Sequence, residues 1–254
     1  MKGEMPADAD EIAIDRMYAV NNEINVGDTI SVDGIDYKVS GYVALSDYSA
    51  LFQSNSDMMF DSVLFGVAVV TDERFNSFDL DFMHMSYAWT YDEEPKDKKE
   101  EKEVSDDLAK VISQYGELET FVPRYANQAI NFTGDDMGSD TVMVETMLYI
   151  LIVIMGFIFA ITINNTIVKE AGTIGTLRAS GYTRGEMLRH YISLPIIVTL
   201  VAALIGNILG YTVFKDVAAD MYYGSYSLTT YVTRWNADAF IKTTVIPILL
   251  MLVI

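Results

Sequence analysis

Two long apolar runs in the C-terminal part of the chain predict membrane-spanning helices. Residues 147–168 and 191–214 contain no charged side chain, and each reaches the length of about 20 residues that a helix needs to cross a bilayer core. A buried helix of a soluble domain is the alternative, but two such runs around a short charged loop favour spans. A third run covers residues 243–254, and we expect it to be a truncated further span.

The first 140 residues alternate apolar and polar side chains over short distances, which predicts an α+β domain. Residues 30–32 and 35–39 alternate on either side of Asp33-Gly34, a pair that suits a two-residue β-turn, so they predict a hairpin. The other predicted elements are a strand at 11–14, a helix capped by Asp15, a strand in the middle of the sheet at 63–70, and a strand with Met85, Tyr87, Trp89 and Tyr91 on one face.

Charge separates the same two regions. The chain has 36 acidic and 17 basic residues and a net charge of −19, and residues 1–140 alone hold 30 acidic and 10 basic residues. Such a region would repel nucleic acid and anionic lipid, so neither is expected as a partner. A cationic ligand is compatible with the charge, and so is a role in keeping the domain soluble.

Candidate metal and redox chemistry is sparse in this sequence. The chain has no cysteine, which excludes disulfides and thiolate ligands, and its two histidines, His84 and His190, lie on different sides of the first predicted span. The acidic stretch at residues 134–140 does not fit the spacing of a calcium loop. We interpret it as a flexible connection to the membrane, and we expect no metal site.

The loop between the two spans, residues 169–190, carries the orientation signal. Its four basic residues in a short segment are typical of the cytoplasmic side, and the longer loop at 215–242 has fewer basic residues per length. This pattern predicts a protein that crosses the cell membrane several times, with residues 1–140 outside the cytoplasm. The four basic residues are Lys169, Arg178, Arg184 and Arg189.

The same loop predicts a short helix that lies outside the bilayer. Ile174, Leu177 and Arg178 have helical spacing, Gly181 is a stop signal, and the T-x-x-E sequence at 183–186 is a capping box that starts the next helix. A short helix at the cytoplasmic end of two spans is a shape that another protein can push. An ordinary interhelical loop is the alternative.

The second span carries a pattern for close packing of helices. Ala202, Gly206 and Gly210 recur every four residues, and such small side chains allow another helix to approach. Pro195 predicts a kink near the inner end, which helices in membranes tolerate when neighbours supply hydrogen bonds. Both features favour a packed bundle over a single anchor.

Residues 165–211 resemble the signature of FtsX-like permeases of ABC transporters, the group that includes the MacB and LolC types. The matching sequence is NTIVKEAGTIGTLRASGYTRGEMLRHYISLPIIVTLVAALIGNILGY, in which I-G-T-L-R-A-S-G corresponds to the core of that signature. Residues 3–44, with their N-E-I and V-G-D-T-I sequences, also resemble the extracytoplasmic domain of this family. Thr173 is a departure, because the family has an acidic residue there, and Glu170 is the remaining carboxylate.

The resemblance implies a permease with four spans per repeat and a large outer domain between the first and second spans. Residues 1–140 would then be a truncated extracytoplasmic α+β domain, and residues 141–254 a transmembrane domain that lacks the first span. The family works by mechanotransmission, in which a separate ATPase pushes the cytoplasmic helix and the spans move the outer domain. The resemblance implies ATPase contacts at Glu170, Ile174, Gly175, Leu177, Arg178 and Gly181.

The implied partners are an ABC-type ATPase, the bilayer of a bacterial cell, and a second permease subunit or repeat. This chain lacks a G-x-x-x-x-G-K-[ST] loop, so we expect ATP to be bound by the partner and no cofactor by the chain itself. An FtsX-like regulator that controls a cell-wall hydrolase or a kinase is the alternative function. A membrane-anchored enzyme lacks support, because no nucleophile and base are paired in the sequence.

Overall fold

The computed structural model describes residues 2–79 and 86–253. His84 and Met85, which entered the metal and strand predictions, lie outside the described residues, as does Ile254. The chain forms two compact units, each composed of two segments. The first unit contains Met1–Asp136 and Met221–Tyr231, and the second contains Met137–Asp220 and Val232–Ile254.

A small sheet organises the first unit. Its strand order is β2-β3-β1-β4, with β1 parallel to β3 and the other neighbours antiparallel. The predicted hairpin is confirmed, because Asp33 and Gly34 connect β2 and β3 with φ values of 51° and 75°. The four strands are β1 (Glu11–Asp15), β2 (Thr29–Val32), β3 (Ile35–Val43) and β4 (Ala68–Val69).

One core cluster of this unit lies where the sheet meets a short helix, α1 (Arg16–Asn21), and a second contains Phe52, Ala129 and Tyr226. The Asp15 side chain accepts hydrogen bonds from the first backbone N–H groups of α1, which confirms the predicted cap. Alternate residues of the strands point to the same face, and this face is apolar. The buried residues of the first cluster are Ile12, Ile14, Ala19, Tyr37 and Val39.

The prediction of a strand in the middle of the sheet at residues 63–70 was wrong. Only Ala68–Val69 forms a strand, and it lies at the edge of the sheet. The Asp61 side chain accepts hydrogen bonds from the backbone N–H groups of Val63 and Leu64, at 2.9 and 3.0 Å, and so holds a turn there. Local polar bonding therefore overrides the apolar pattern in the first part of this run.

The second predicted strand with an aromatic face is also absent where it is described. Residues 86–91 are irregular, and the Trp89 ring stacks on Phe121 with 4.7 Å between ring centroids. The chain on either side forms two helices, α2 (Asp72–Phe75) and α3 (Lys98–Ile112). Here the aromatic side chains belong to an irregular segment, so their alternation in the sequence does not indicate a strand.

The second unit is helical. The longest described helix, α4 (Gln128–Lys169), has 42 residues, of which those from Met137 onward belong to this unit, and it includes residues 134–140, for which the sequence predicts a flexible connection. That interpretation was wrong, since helical hydrogen bonding continues through both glycines of this stretch. The remaining helices are α5 (Ala171–Ala179), α6 (Arg184–Leu209), α7 (Lys215–Tyr223), α8 (Ala237–Phe240) and α9 (Ile246–Val253).

Two of these helices are long and apolar enough to cross a membrane, in the part of the chain that the structure describes. The first is α4, and the second runs from Arg184 to Tyr223 because a π-helical turn at Gly210–Phe214 joins α6 to α7. Only 6% of the most apolar stretch of each is buried. A core helix of a soluble protein would be covered, so this exposure agrees with the predicted spans.

Candidate coupling surface

The predicted short helix of the loop at 169–190 is present as α5. It ends at Ala179, and Gly181, two residues further on, has a φ of 100° in the left-handed region that favours glycine. The Gly181 N–H donates to the Arg178 carbonyl at 3.1 Å, and the Tyr182 N–H donates to the Leu177 carbonyl at 3.2 Å. These two bonds form a Schellman motif, which fixes the direction in which the chain leaves α5.

The predicted capping box then starts α6, and the structure confirms it. The Glu186 carboxylate accepts from the Thr183 backbone N–H at 2.8 Å, and the Glu186 N–H donates to the Thr183 hydroxyl at 3.3 Å. Only Gly181 and Tyr182 lie between this cap and the end of the preceding turn. The C-terminal end of α5 is therefore joined to α6 by a short connection with defined hydrogen bonds.

The N-terminal end of α5 is fixed by a contact that the sequence did not reveal. Glu170 lies between α4 and α5, and its Oε2 accepts a hydrogen bond from the Tyr191 hydroxyl at 2.7 Å. Tyr191 belongs to α6, so this bond ties the start of α5 to the neighbouring long helix. A hydrogen bond to a charged acceptor is stronger than a neutral one, and the two bonded ends limit rotation of α5.

The faces of α5 differ in polarity. Ile174 and Leu177 are three residues apart on one side and are half-buried, whereas Gly175 and Arg178 are exposed. A side chain at Gly175 would meet open space, and Arg178 forms no ion pair within residues 2–79 and 86–253. Three of the residues that the resemblance implies as ATPase contacts, Ile174, Leu177 and Arg178, are therefore an apolar pair beside an exposed cation, and their role as contacts stays a prediction.

The small-residue stripe of α6 faces no helix of this chain among the described residues. Ala202 and Gly206 are exposed and Gly210 is half-buried, and a Cβ added at either glycine would meet no atom within 4 Å. The predicted role in helix packing therefore stays a prediction. Pro195 is buried inside α6, and its carbonyl accepts a hydrogen bond from the Thr199 hydroxyl at 2.8 Å.

Polar contacts that we did not predict join the long helices of this unit. The Asn207 amide donates to the Thr244 hydroxyl at 2.8 Å, which links α6 to the π-helical turn before α9. The Lys242 ammonium lies 3.3 Å from the Glu145 carboxylate of α4 and 3.0 Å from Asp238. Such pairs are invisible in the periodicity of one helix because their partners lie on other elements.

The comparison with protein families identifies the region that contains all of these residues. Residues 145–254 match the family model of the FtsX-like permease C-terminal domain. These residues are an FtsX-like permease domain. FtsX-like permeases are membrane-embedded transport components rather than enzymes, and they generally work with an ABC-type ATPase. No curated protein and no solved structure matches the chain at a significant level.

The match covers α5, the part of α4 from residue 145 onward and the whole of α6, so the FtsX-like domain has its short helix between two long apolar helices. Residues 1–144 lie outside the match, and there the resemblance of residues 3–44 stays a prediction. In the part of the chain that the structure describes, no group of three metal-ligating side chains could hold a metal ion.

Proposed function

We propose that this chain is the permease part of an ABC transporter, and that a separate ATPase drives it by pushing on α5. The observation that carries this proposal is an exposed short helix, bonded at both ends to long helices, inside an FtsX-like permease domain. Such a helix is a rigid element that a partner can move as one piece. Export or extraction of a substrate would follow from movement of the unit that contains the sheet.

The chemistry of α5 suits a docking contact. Leu177 and Ile174 would enter a groove of the ATPase as apolar anchors, and Arg178 would lie at the rim of the contact. Buried anchors dominate the energy of most interfaces, whereas charges at the rim contribute less. Gly175 would allow the partner backbone to approach, because its surface has no side chain. ATP would be bound and hydrolysed by the partner.

The proposed topology places residues 1–140 outside the cytoplasm and residues 169–190 inside it. The support is the basic loop at 169–190 and the strong acidity of residues 1–140. A second permease subunit or repeat would pack against the exposed stripe of Ala202, Gly206 and Gly210. The alternative is a regulator that uses the same lever to control a hydrolase or kinase without transporting a substrate.

Substitution of Leu177 tests the docking contact. Leu177→Asp would place an unpaired carboxylate in the groove, and burying such a group without a partner costs on the order of several kcal/mol. We expect the full-length variant to reach the membrane at a normal level and to lose the ATPase in a pull-down. ATPase stimulation in reconstituted vesicles should be lost with it.

A matched control separates docking from damage to the helix. Thr176→Asp introduces the same charge into α5 at an exposed position away from the Ile174 and Leu177 side, so it should retain the ATPase. If Leu177→Asp binds and stimulates the ATPase like the unmodified protein, α5 is not the docking element. If the complex forms and hydrolyses ATP but no substrate accumulates across the membrane, the regulator alternative is favoured.

A further inference from the structure

Residues 221–231, which include the last three residues of α7 and part of the chain toward α8, belong to the unit that contains the sheet. The sequence predicted an outer loop here, and an ordinary loop between two long helices stays at the surface. Two consecutive residues of this segment are instead almost completely covered: Tyr226 is 5% exposed and Ser227 is 2% exposed. Their partners explain this burial.

Arg16 holds the segment from the start of α1. Its Nη2 donates to the Tyr223 carbonyl at 2.7 Å and to the Tyr226 carbonyl at 2.6 Å. The guanidinium carbon also lies 5.4 Å from the centre of the Tyr223 ring, in a cation–π contact. One charged group thus satisfies two backbone acceptors of a chain segment that is more than 200 positions away.

Asp15, the neighbouring residue at the end of β1, holds the same segment through its side chain. It is completely buried, and its Oδ2 accepts a hydrogen bond from the Ser227 hydroxyl. Its Oδ1 accepts from the backbone N–H groups of Met17 and Tyr18, at 2.7 and 3.2 Å. The carboxylate therefore binds the segment and caps α1 with different oxygens, which connects residue 227 directly to the sheet.

A third contact reaches the beginning of α4. The Tyr226 hydroxyl donates to the Asp136 carboxylate at 2.7 Å, and the Tyr226 ring packs against Phe60 and Phe132, with centroids 5.5 and 6.3 Å away. The Ser227 N–H donates to the Ser49 carbonyl at 2.9 Å. All of these residues belong to the first unit, so the segment is bonded to the sheet, to the loop after it and to the first turns of α4.

Burying charged groups such as Asp15 is unfavourable unless they are well bonded. A simple loop at the surface would not need Asp15 and Arg16 as partners. The hydrogen bonds of Arg16 and Asp15 attach residues 221–231, which include the end of α7, to the sheet. We propose that Asp15 and Arg16 are positioning residues that transmit ATP-driven movement of the FtsX-like domain to the sheet through residues 221–231. This inference rests on the proposed function, since the movement it transmits is the one that the ATPase causes.

Two spin labels in the full-length protein, reconstituted with its ATPase, test the anchor. The chain has no cysteine, so Asp36→Cys on β3 and Thr230→Cys in the segment would be the only labelled sites of this chain, and both positions are exposed. With the anchor intact we expect one narrow distance that is the same before and after ATP is added. The segment and the sheet then move as one body.

Arg16→Met should broaden this distance and make it shift when ATP is added, because the segment then moves without the sheet. Ser227→Ala, a smaller change that leaves Arg16 in place, should broaden it less, and Arg16→Lys should restore part of the narrow distance. Lys38→Met is the matched control: it removes an exposed cation that lies 3.4 Å from Glu11 in the same sheet, and it should leave the distance unchanged.

The outcomes separate the anchor from the function on which it rests. If the distance between the labels stays narrow in Arg16→Met and does not change when ATP is added, Arg16 does not anchor the segment to the sheet. If the distance in Arg16→Met is broad but does not change with ATP, in a complex that still hydrolyses ATP, movement is not transmitted to the sheet through residues 221–231. Failure of the unmodified protein to retain the ATPase would contradict the proposed function instead, and the distance without ATP would still test whether Arg16 holds the segment.

Discussion

The two connections at the ends of the helix from Arg184 to Tyr223 are built in opposite ways. The connection before it, residues 170–183, is largely exposed and held by hydrogen bonds between residues at most 21 positions apart. The connection at its other end, residues 221–231, includes the last three residues of this helix; it is buried at Tyr226 and Ser227, and its bond to Asp15 spans 212 positions. The first connection leaves part of the Leu177 side chain accessible to another protein. The second connection binds other residues of the same chain.

The difference is compatible with the separate roles that we propose for the two connections. Tyr226 and Ser227 are already buried and have little surface to offer a second protein, whereas α5 presents a half-buried Leu177 and an exposed Arg178. The contrast agrees with a division in which force enters at α5 and leaves through residues 221–231. The first connection is held by bonds between nearby residues, and the second by hydrogen bonds and packing with distant ones.

The largest expected effect follows from removing the buried aromatic ring of the second connection. Tyr226→Ala would open a cavity among Phe60 and Phe132 and leave Asp136 without this hydrogen bond, so we expect it to destabilise the first unit by about 3–5 kcal/mol. Hydrogen exchange of β1 and β3 amides in the full-length protein would measure this loss as faster opening.

Tyr115→Ala is the control for the Tyr226 substitution. The Tyr115 side chain is 87% exposed, so its removal should change the opening free energy by no more than about 0.5 kcal/mol. Equal exchange in both variants would mean that residues 221–231 are not an integral part of the folded unit. The comparison between the two connections would then fail.

The pH dependence of stability also distinguishes the connection at residues 221–231 from the one at α5. Burial raises the pKa of the Asp15 carboxyl above its ordinary value, and the hydrogen bond from Ser227 only partly offsets this effect. The folded state therefore binds the proton more tightly than the unfolded state. The stability that this provides is complete below the ordinary pKa of about 4 and is lost as the pH rises through the raised pKa.

Asp15→Asn should remove this part of the pH dependence, while Asp36→Asn, an exposed position on β3, should not. Exchange rates corrected for intrinsic pH effects would give the opening free energy of the sheet at each pH. A slope that is unchanged in Asp15→Asn would show that Asp15 is not the group responsible. The opening free energy of residues 170–183 should show no pH dependence that Asp15→Asn removes.

The smallest of these effects concerns the exposed connection. Gly181→Ala forces a side chain into a positive φ and should destabilise the end of α5 by about 1 kcal/mol. Gly172→Ala, inside α5 where an added Cβ meets no atom, should instead stabilise the helix by roughly 0.5–1 kcal/mol. Amide exchange of residues 171–182 would show opposite changes, and changes of the same sign would contradict this account.

Local signals in the sequence predicted the parts of the fold that depend on neighbouring residues. The Asp33-Gly34 turn, the Asp15 cap and the capping box at Thr183 each need only three or four adjacent positions, and the structure contains all three. The short helix with Ile174 and Leu177 was found for the same reason. These bonds form wherever the chain adopts the local conformation, so the pattern alone specifies them.

Long-range contacts explain what the sequence did not predict. The run at residues 63–70 has the composition of a central strand, but the Asp61 side chain holds a turn inside it. The two glycines of residues 134–140 suggested a flexible connection, although the helix continues through them. The bonds of Arg16 to Tyr223 and of Glu170 to Tyr191 depend on how distant segments fold together. The spacing of apolar residues within one segment does not predict such bonds.

Photo-cross-linking at Leu177 tests the central claim, that α5 is the site at which the ATPase acts. A photoreactive amino acid at position 177 of the full-length protein in its native membrane should cross-link to an ABC-type ATPase. The same residue at Leu204, an exposed position in the middle of α6, should cross-link to lipid or to another permease subunit. Absence of the ATPase from the products at position 177, in membranes from which it co-purifies, would contradict the account.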